Sequence, residues 1–409
     1  MKASLRPGHH LRLLEGGAAL FPAMVQAMDR ARQLVHLETY IFEFANDALL
    51  VAEALERAAL RGVTVRLVMD GVGTPSLPRV WAERFTRAGV QWRIYQPLGK
   101  LGVFIPSRWR RLHRKLCVVD GQVGFCGGIN LIDDQDDIVL GRLDAPRLDY
   151  SLQVSGPLVA EMLDTMEQFW WRLQAVRAAR QREFRAAWEA IQTALPRIEP
   201  WEWWNATPAS HTPEVRASEA DAALLWRDNV RHRHDIEKAY LKAIGEARHE
   251  VVIANAYFIP GRRLRRALRV AVQRGVRVRL LLQGKYERFL QYHAARPVHH
   301  SLLRAGVEIH EYAPSALHAK VAVVDGRWAT VGSTNLDPLS LLLAREANVV
   351  TTDTAFAAQL YQRLDRLMRE QGHPLRLEDV KARTWQERWR DRMAFAVMRT
   401  VLFLTGHRY

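Results

Sequence analysis

Two α/β/α sandwich domains made by duplication and related by a pseudo-two-fold axis are the architecture this 409-residue sequence predicts. Three observations lead there. "HRKLCVVDGQVGFCGGIN" (113–130) returns as "HAKVAVVDGRWATVGSTN" (318–335). "RGVTVRLVMDG" (61–71) returns as "RGVRVRLLLQG" (274–284), and "LETYIF" (37–42) has a counterpart in "ANAYFI" (254–259). In each half, short apolar runs alternate with stretches of helical apolar spacing, the pattern of α/β layering. A repeat of roughly two hundred residues is too long for a solenoid and marks a duplicated domain.

Each half follows one order: helix, strand, helix, strand, short helix, strand, then a histidine hairpin. "NDALLVAEALERAALRG" (46–62) has helical apolar spacing, with Asn46 or Asp47 as cap and Gly62 as stop. "VTVRLVMD" then reads as a largely buried strand. In the hairpin, His113 and Lys115 share one face because strand side chains alternate. Leu116, Val118 and Val119 bury the strand, Asp120-Gly121 turns it, and Val123 to Cys126 return. Glycines then allow close backbone approach to a ligand, and Asn130 follows with its amide. His318, Lys320, Asp325, Gly332 and Asn335 repeat these spacings. At residue frequencies of about 5%, five such positions recur by chance on the order of 10⁻⁴ times in a chain of this length. The repetition is therefore a signal. The domain boundaries expected are 1–196, a linker at 197–223, a second domain at 224–370 and a tail at 371–409. A helix is expected over 157–194, and Trp201, Trp203 and Trp204 of the linker suit either local packing or an interfacial belt.

A formal charge of +15 implies attraction to an anionic partner, either nucleic acid or a phospholipid surface. Two stretches favour lipid. "GKLGVFIPSRWRRLHRK" (99–115) sets Phe104, Ile105 and Trp109 among Arg108, Arg110 and Arg111. "RWRDRMAFAVMRTVLFLTGHRY" (388–409) is a short apolar helix with basic ends, as interfacial helices are. The competing reading of both is burial in a core or subunit contact. No apolar run is long enough to span a bilayer and no secretory signal is evident. Cys117 and Cys126 lie in apolar strands and read as buried free thiols, which suit a reducing compartment. No Cys/His set has zinc spacing. The pairs His9-His10, His232/His234 and His299-His300 are expected at the solvated surface.

Brought face to face, two His/Lys/Asn sets suit a phosphodiester and offer a metal no carboxylate pair. One neutral imidazole attacks phosphorus and forms a phosphohistidine. The other, protonated, donates to the leaving oxygen and later takes the proton of the incoming nucleophile. Lys115, Lys320, Asn130 and Asn335 would hold the non-bridging oxygens.

The twice-present pattern His-x-Lys-x4-Asp-x6-Gly-(Gly/Ser)-x-Asn resembles the HKD signature of the phospholipase D superfamily. "LETYIF", "GGIN", "LLWRDN", "ANAYFIPG", "HAKVAVVDGRWATVGSTNLDPLSL" and "REANVV" extend the resemblance to the bacterial cardiolipin synthases of that superfamily, most closely their B-type branch. It implies the phospholipase D fold, an active site between the halves, no metal and no cofactor. The reaction implied is phosphatidyl transfer from phosphatidylglycerol, or phosphatidylethanolamine, to a second phosphatidylglycerol or to glycerol. By the same resemblance His113 is the nucleophile and His318 the acid/base. A carboxylate downstream of each motif orients that motif's histidine, with Asp149 the candidate after the first and Glu346 after the second. Asp120 and Asp325 complete the catalytic signature while serving mainly structure. Ser333 is a phosphate-binding hydroxyl without a twin, since Gly128 stands in its place in the first motif. The implied location is peripheral, on the cytoplasmic side of a bacterial inner membrane, with no nucleic acid partner. Three readings compete: a lipid phosphatidyltransferase, a phospholipase D-type hydrolase or nuclease, and a basic membrane-binding protein. Two complete motifs favour an enzyme, and the apolar-basic segments favour lipid.

Overall fold

The computed structural model describes residues 5–99, 106–137, 139–194, 220–228, 232–285 and 289–404. The first half comprises β1 (Arg6–Glu15), α1 (Gly16–Arg30), β2 (Leu34–Thr39), α2 (Leu49–Leu60), β3 (Thr64–Asp70), α3 (Arg79–Ala88) and β4 (Gln91–Tyr95). It continues through β5 (Arg111–Leu112), β6 (Lys115–Val119), β7 (Val123–Gly127), β8 (Asp136–Asp137), β9 (Gly141–Arg142), β10 (Tyr150–Ser155), α4 (Leu158–Arg180) and α5 (Phe184–Ala194). The second half holds β11 (Ala220–Arg227), α6 (Asp235–Glu246), β12 (Glu250–Asn255), α7 (Arg262–Gln273), β13 (Arg277–Gln283), α8 (Phe289–Leu303) and β14 (Glu308–Tyr312). It ends with β15 (Lys320–Val324), β16 (Trp328–Gly332), α9 (Pro338–Leu343), β17 (Ala344–Thr351), α10 (Thr354–Gln371), β18 (Gly372–Pro374), α11 (Leu377–Lys381) and α12 (Trp385–Leu404).

The repeated Arg-Gly-Val is one local device used twice. Gly62 and Gly275 both sit at φ +87, the left-handed region that glycine enters without a Cβ penalty. Val63 and Val276 donate back to Ala58 and Ala271, closing α2 and α7 before the strand begins. At the other end of α2 the expected cap is absent. Asn46 and Asp47 lie in a 3₁₀ turn (Asn46–Ala48), and Ala48, at the N-cap, offers no side-chain acceptor.

Apart from the short β8–β9 pair, the described strands form one sheet whose order is symmetric about one antiparallel junction, β1 with β11. Outward from it run β10-β7-β6-β2-β3-β4 on one side and β17-β16-β15-β12-β13-β14 on the other, with β18 added at the far edge. The pseudo-dyad therefore passes between β1 and β11. Each half-sheet carries helices on both faces. Residues of α1, α2 and α3 pack with the first half's outward face, and those of α6, α7, α8 and α12 with the second's. Residues of α4 and α10 share one core with Val118, Leu152, Val252 and Val321 from both halves.

Three expectations change. The helix expected over 157–194 is two antiparallel helices, broken where Arg182 adopts φ +63. Residues 220–223, expected in the linker, are already strand β11, while Trp201, Trp203 and Trp204 lie outside the described residues. His9 and His299 are buried, whereas His10 and His234 are exposed. The His9 ring accepts from the Leu158 N–H at 3.3 Å, an interior role for one member of a His-His pair. Cys117 and Cys126 are buried free thiols, as expected. Among the described residues, no helix is long and apolar enough to cross a membrane.

Candidate active site

Each histidine hairpin is anchored from its turn. Asp120 and Asp325 sit at φ +51 and +52, a left-handed conformation that Asp tolerates better than most residues. The Asp120 carboxylate accepts from the N–H groups of Arg32, Gln33 and Leu34, each at 2.8 Å. Asp325 does the same for Arg248, His249 and Glu250. Both acids are committed to starting β2 and β12.

At the other end of each hairpin the chain crosses into the opposite half. Short β5 pairs in parallel with β17, Leu112 opposite Arg345, and the His113 N–H donates to the Arg345 carbonyl at 3.0 Å. The next residue of β17 is Glu346, whose carboxylate oxygens lie 3.0 and 3.1 Å from His113 Nδ1. The second motif mirrors this. Leu148 bridges Leu317, the His318 N–H donates to the Leu148 carbonyl at 2.8 Å, and Asp149 Oδ2 lies 2.6 Å from His318 Nδ1. Asp149 and Glu346 thus each face a histidine, but that of the other half and not, as expected, that of their own motif. A Nδ1–H donated to a carboxylate fixes the tautomer that leaves Nε2 as the reactive nitrogen. The site exists only where the two halves meet.

Around these imidazoles the charges are crowded and dry. Lys115 Nζ donates to the His113 carbonyl at 2.7 Å, and Lys320 Nζ to the His318 carbonyl. Burial pulls the Lys115 ammonium down to about 7 and pushes the Asp149 carboxyl up to about 6. Burial also lowers both histidines. His318 falls well below the ordinary range, with Lys320 and Lys115 adding repulsion, while Glu346 partly offsets the effect at His113. Both imidazoles are therefore neutral in the free protein near pH 7. Protonation of one awaits an anionic phosphate.

Ser333 and Gly128 explain each other through the acids they face. The Ser333 hydroxyl is buried, donates to Glu346 and accepts from the Ala347 N–H at 3.0 Å. The hydroxyl is thereby engaged with the carboxylate that faces His113. In the first motif a Cβ at Gly128 would come within 2.4 Å of Asp149 Oδ1. The shorter acid packs directly against a glycine, and the longer acid is steadied by a serine. Asn130 and Asn335 are both buried; Asn130 Oδ1 lies 3.4 Å from the Ile41 N–H, and Asn335 Oδ1 has no partner among the described residues. An amide with spare capacity fits a site awaiting an oxyanion.

Two features escaped the sequence reading. The Tyr40 ring stands 5.0 Å from the His113 ring, with Lys115 Nζ 5.5 Å from its centre. The alignment of "LETYIF" with "ANAYFI", which matches Tyr40 to Tyr257, was the available signal. The second is a fully buried bidentate ion pair, Arg114 with Glu38, directly behind His113. Of the residues expected to meet a membrane, Phe104 and Ile105 lie outside the described residues. Trp109 is half-buried in the turn Pro106–Trp109. Arg111 is committed to Asp70 at 3.0 Å.

The shifted groups set a pH dependence. Below about 6 Asp149 takes up a proton and ceases to hold His318, and above about 7 free Lys115 loses its charge. The expected kcat/KM profile is bell-shaped with limbs near those values. A bound phosphate raises the Lys115 pKa, so the alkaline limb of kcat lies above that of kcat/KM. Asp149→Asn removes the acid limb. An acid limb unchanged in that variant would assign it elsewhere.

Comparison with known proteins agrees with this geometry. A family model described as "Cardiolipin synthase, PLD-like domain" matches residues 24–135 and 240–368, one segment per half. The chain is 35% identical over 408 residues to cardiolipin synthase B of Escherichia coli K12, covering 99% of this chain and 92% of that protein. It is 33% identical over 363 residues to cardiolipin synthase A of Pseudomonas aeruginosa, covering 87% of this chain and 66% of that one. The fold matches the crystal structure of phosphatidylserine synthase from Haemophilus influenzae at a TM-score of 0.65 and 11% identity, over 99% and 95% of the two chains. Two hairpins presenting crossed histidine–carboxylate pairs, together with relatives matched along nearly the whole chain, place this protein in the cardiolipin synthase family of phospholipase D-like phosphatidyltransferases.

Proposed function

We propose that the protein joins two molecules of phosphatidylglycerol, giving cardiolipin and glycerol, through a phosphohistidine on His113. The observation that carries this reading is the pair of imidazoles, each held at Nδ1 by a buried carboxylate of the opposite half and each beside a lysine. His113 Nε2 attacks phosphorus, the bond from phosphorus to the glycerol oxygen breaks, and His318 gives that oxygen a proton. His318, now neutral, takes the proton of the acceptor hydroxyl as that oxygen displaces His113 from phosphorus. Lys115, Lys320, Asn130 and Asn335 stabilise the non-bridging oxygens as their charge grows. The P–N bond conserves the energy of the diester, so no nucleotide is consumed. Purified protein with labelled phosphatidylglycerol vesicles should give cardiolipin and free glycerol in equal amounts, without ATP or a cytidine-activated lipid and unaffected by chelator. Phosphatidic acid as the dominant product would favour the hydrolase reading.

The substrates lie in a membrane, and the reading includes peripheral docking on an anionic leaflet. Support comes from α12. Its Ala394 and Met398 join the second-half core, and its Asp391 contacts His293 of α8 at 2.6 Å. The opposite face leaves Trp385, Trp389, Met393 and Val397 exposed at every fourth residue, among exposed Arg388, Arg390 and Arg392. An apolar ridge flanked by arginines gains both from area burial and from anionic headgroups. Trp385→Ser with Trp389→Ser should strongly reduce flotation with anionic vesicles, and added salt should weaken what remains. Unchanged flotation would assign the ridge to another contact.

A further inference from the structure

A cavity outside the crossed histidine pairs lies against the second motif, with about 470 Å³ of empty space including its open mouth. Its polar lining includes Gln283, Lys285, Gln291, Tyr292, Arg296 and His299. The floor touches the reaction centre through the backbone. Ala256 N–H donates to the Ala319 carbonyl, between His318 and Lys320, and Ile259 N–H donates to the Leu336 carbonyl, next to Asn335, both at 3.0 Å.

Two groups of this lining, His299 and the Gln291 amide oxygen, lack a well-formed hydrogen bond among the described residues. His299 is 6% exposed and its ring has at most a marginal hydrogen bond, to the Phe258 backbone; Gln291 Oε1 is likewise buried and unpartnered among the described residues. Buried polar groups are almost always paired, so groups that are not, facing a cavity, imply a ligand or water there. Burial drives the His299 pKa down to about 3, so the ring stays neutral and offers one donor and one acceptor, the complement of a hydroxyl. Lys285 meets the exposed Asp144 at 3.6 Å, and Arg296 is buried beside Glu311. The lining thus combines hydroxyl-matching groups with positive charge. The first turn of α8, the helix that contributes Gln291 and His299 to the cavity, leaves Phe289 and Leu290 53% and 41% exposed. The corresponding helix of the first half, α3, is ten residues long against fifteen, so the two halves differ at this place.

We propose that this cavity holds the glycerol phosphate head group of the acceptor lipid, delivering its free hydroxyl to the second motif. The assignment rests on the phosphatidyl-transfer reading and deepens it. The test follows full-length protein on vesicles of labelled phosphatidylglycerol and measures the ratio of cardiolipin to phosphatidic acid, normalised to glycerol released. Lys285→Ala, at a partly exposed position, and His299→Leu should each lower that ratio by about tenfold, the loss expected for one hydrogen bond to a charged or buried partner. A second arm supplies labelled free glycerol as acceptor. Lys285→Ala should spare incorporation of glycerol, which has no phosphate, while cardiolipin formation falls. An unchanged ratio in folded Lys285→Ala, or equal loss in both arms, overturns the assignment. If the wild-type chain made phosphatidic acid alone, the transferase reading itself would fail before any variant was compared.

Discussion

His113→Ala and His318→Ala each lower phosphatidyl transfer by roughly four decades or more, and combining them costs little further, because members of one catalytic unit act non-additively. The crossed pairing adds a sharper expectation. Glu346→Gln acts on His113, more than two hundred residues away in sequence, while Asp149→Asn acts on His318. Each amide variant should lose roughly two to four decades, by analogy with the orienting acid of a catalytic triad. A merely structural role would not move the histidine signals selectively. In Glu346→Gln the Nδ1 resonance of His113 should shift while that of His318 stays, and Asp149→Asn should do the reverse. Shifts confined to the histidine of the same half would contradict the crossing.

Glu38→Ala is expected to destabilise the fold by ~3–5 kcal/mol, because it leaves the Arg114 guanidinium buried without its counter-ion. Arg114 retains only a long bond to the Thr165 carbonyl, at 3.3 Å, and the face of Phe169. The duplicated half shows a neutral solution at the equivalent positions. Glu38 corresponds to Asn255, which accepts from the Leu336 N–H, and Arg114 corresponds to Ala319. Glu38→Asn combined with Arg114→Ala should therefore cost less than Glu38→Ala alone, despite removing more atoms. Urea unfolding of the two variants measures this directly. A single variant costing under ~1 kcal/mol would mean that the pair is not desolvated as described.

Much of the site was legible because duplication repeats the same chemistry at the same spacing. His113, Lys115, His318 and Lys320 share strand faces by simple alternation, and the Asp-Gly turns and Arg-Gly-Val helix ends follow from backbone sterics. The crossing was not legible. It depends on β5, two residues long, too short to carry any periodicity, pairing with a strand of the other half. The contact of Ser333 with Glu346 was not legible either, because a hydroxyl suits a phosphate and a carboxylate equally well. His9 and His299 were assigned to the surface as members of polar pairs. In a strand or helix, however, one residue of such a pair points inward, and the pair itself does not say which. The break between α4 and α5 falls in "ARQREFR", which contains neither glycine nor proline to announce it.

The central claim is a covalent phosphatidyl-enzyme formed by one half and resolved by the other. Rapid acid-free quenching of the protein with labelled phosphatidylglycerol, followed by mass spectrometry of its peptides, tests this most directly. The expected result is a phosphatidyl adduct on the peptide bearing His113, absent in His113→Ala and accumulating in His318→Ala if leaving-group protonation is rescued by a more acidic alcohol on the donor. An adduct on His318 would reverse the two roles. Cardiolipin formed at the normal rate with no adduct on either histidine would contradict the mechanism.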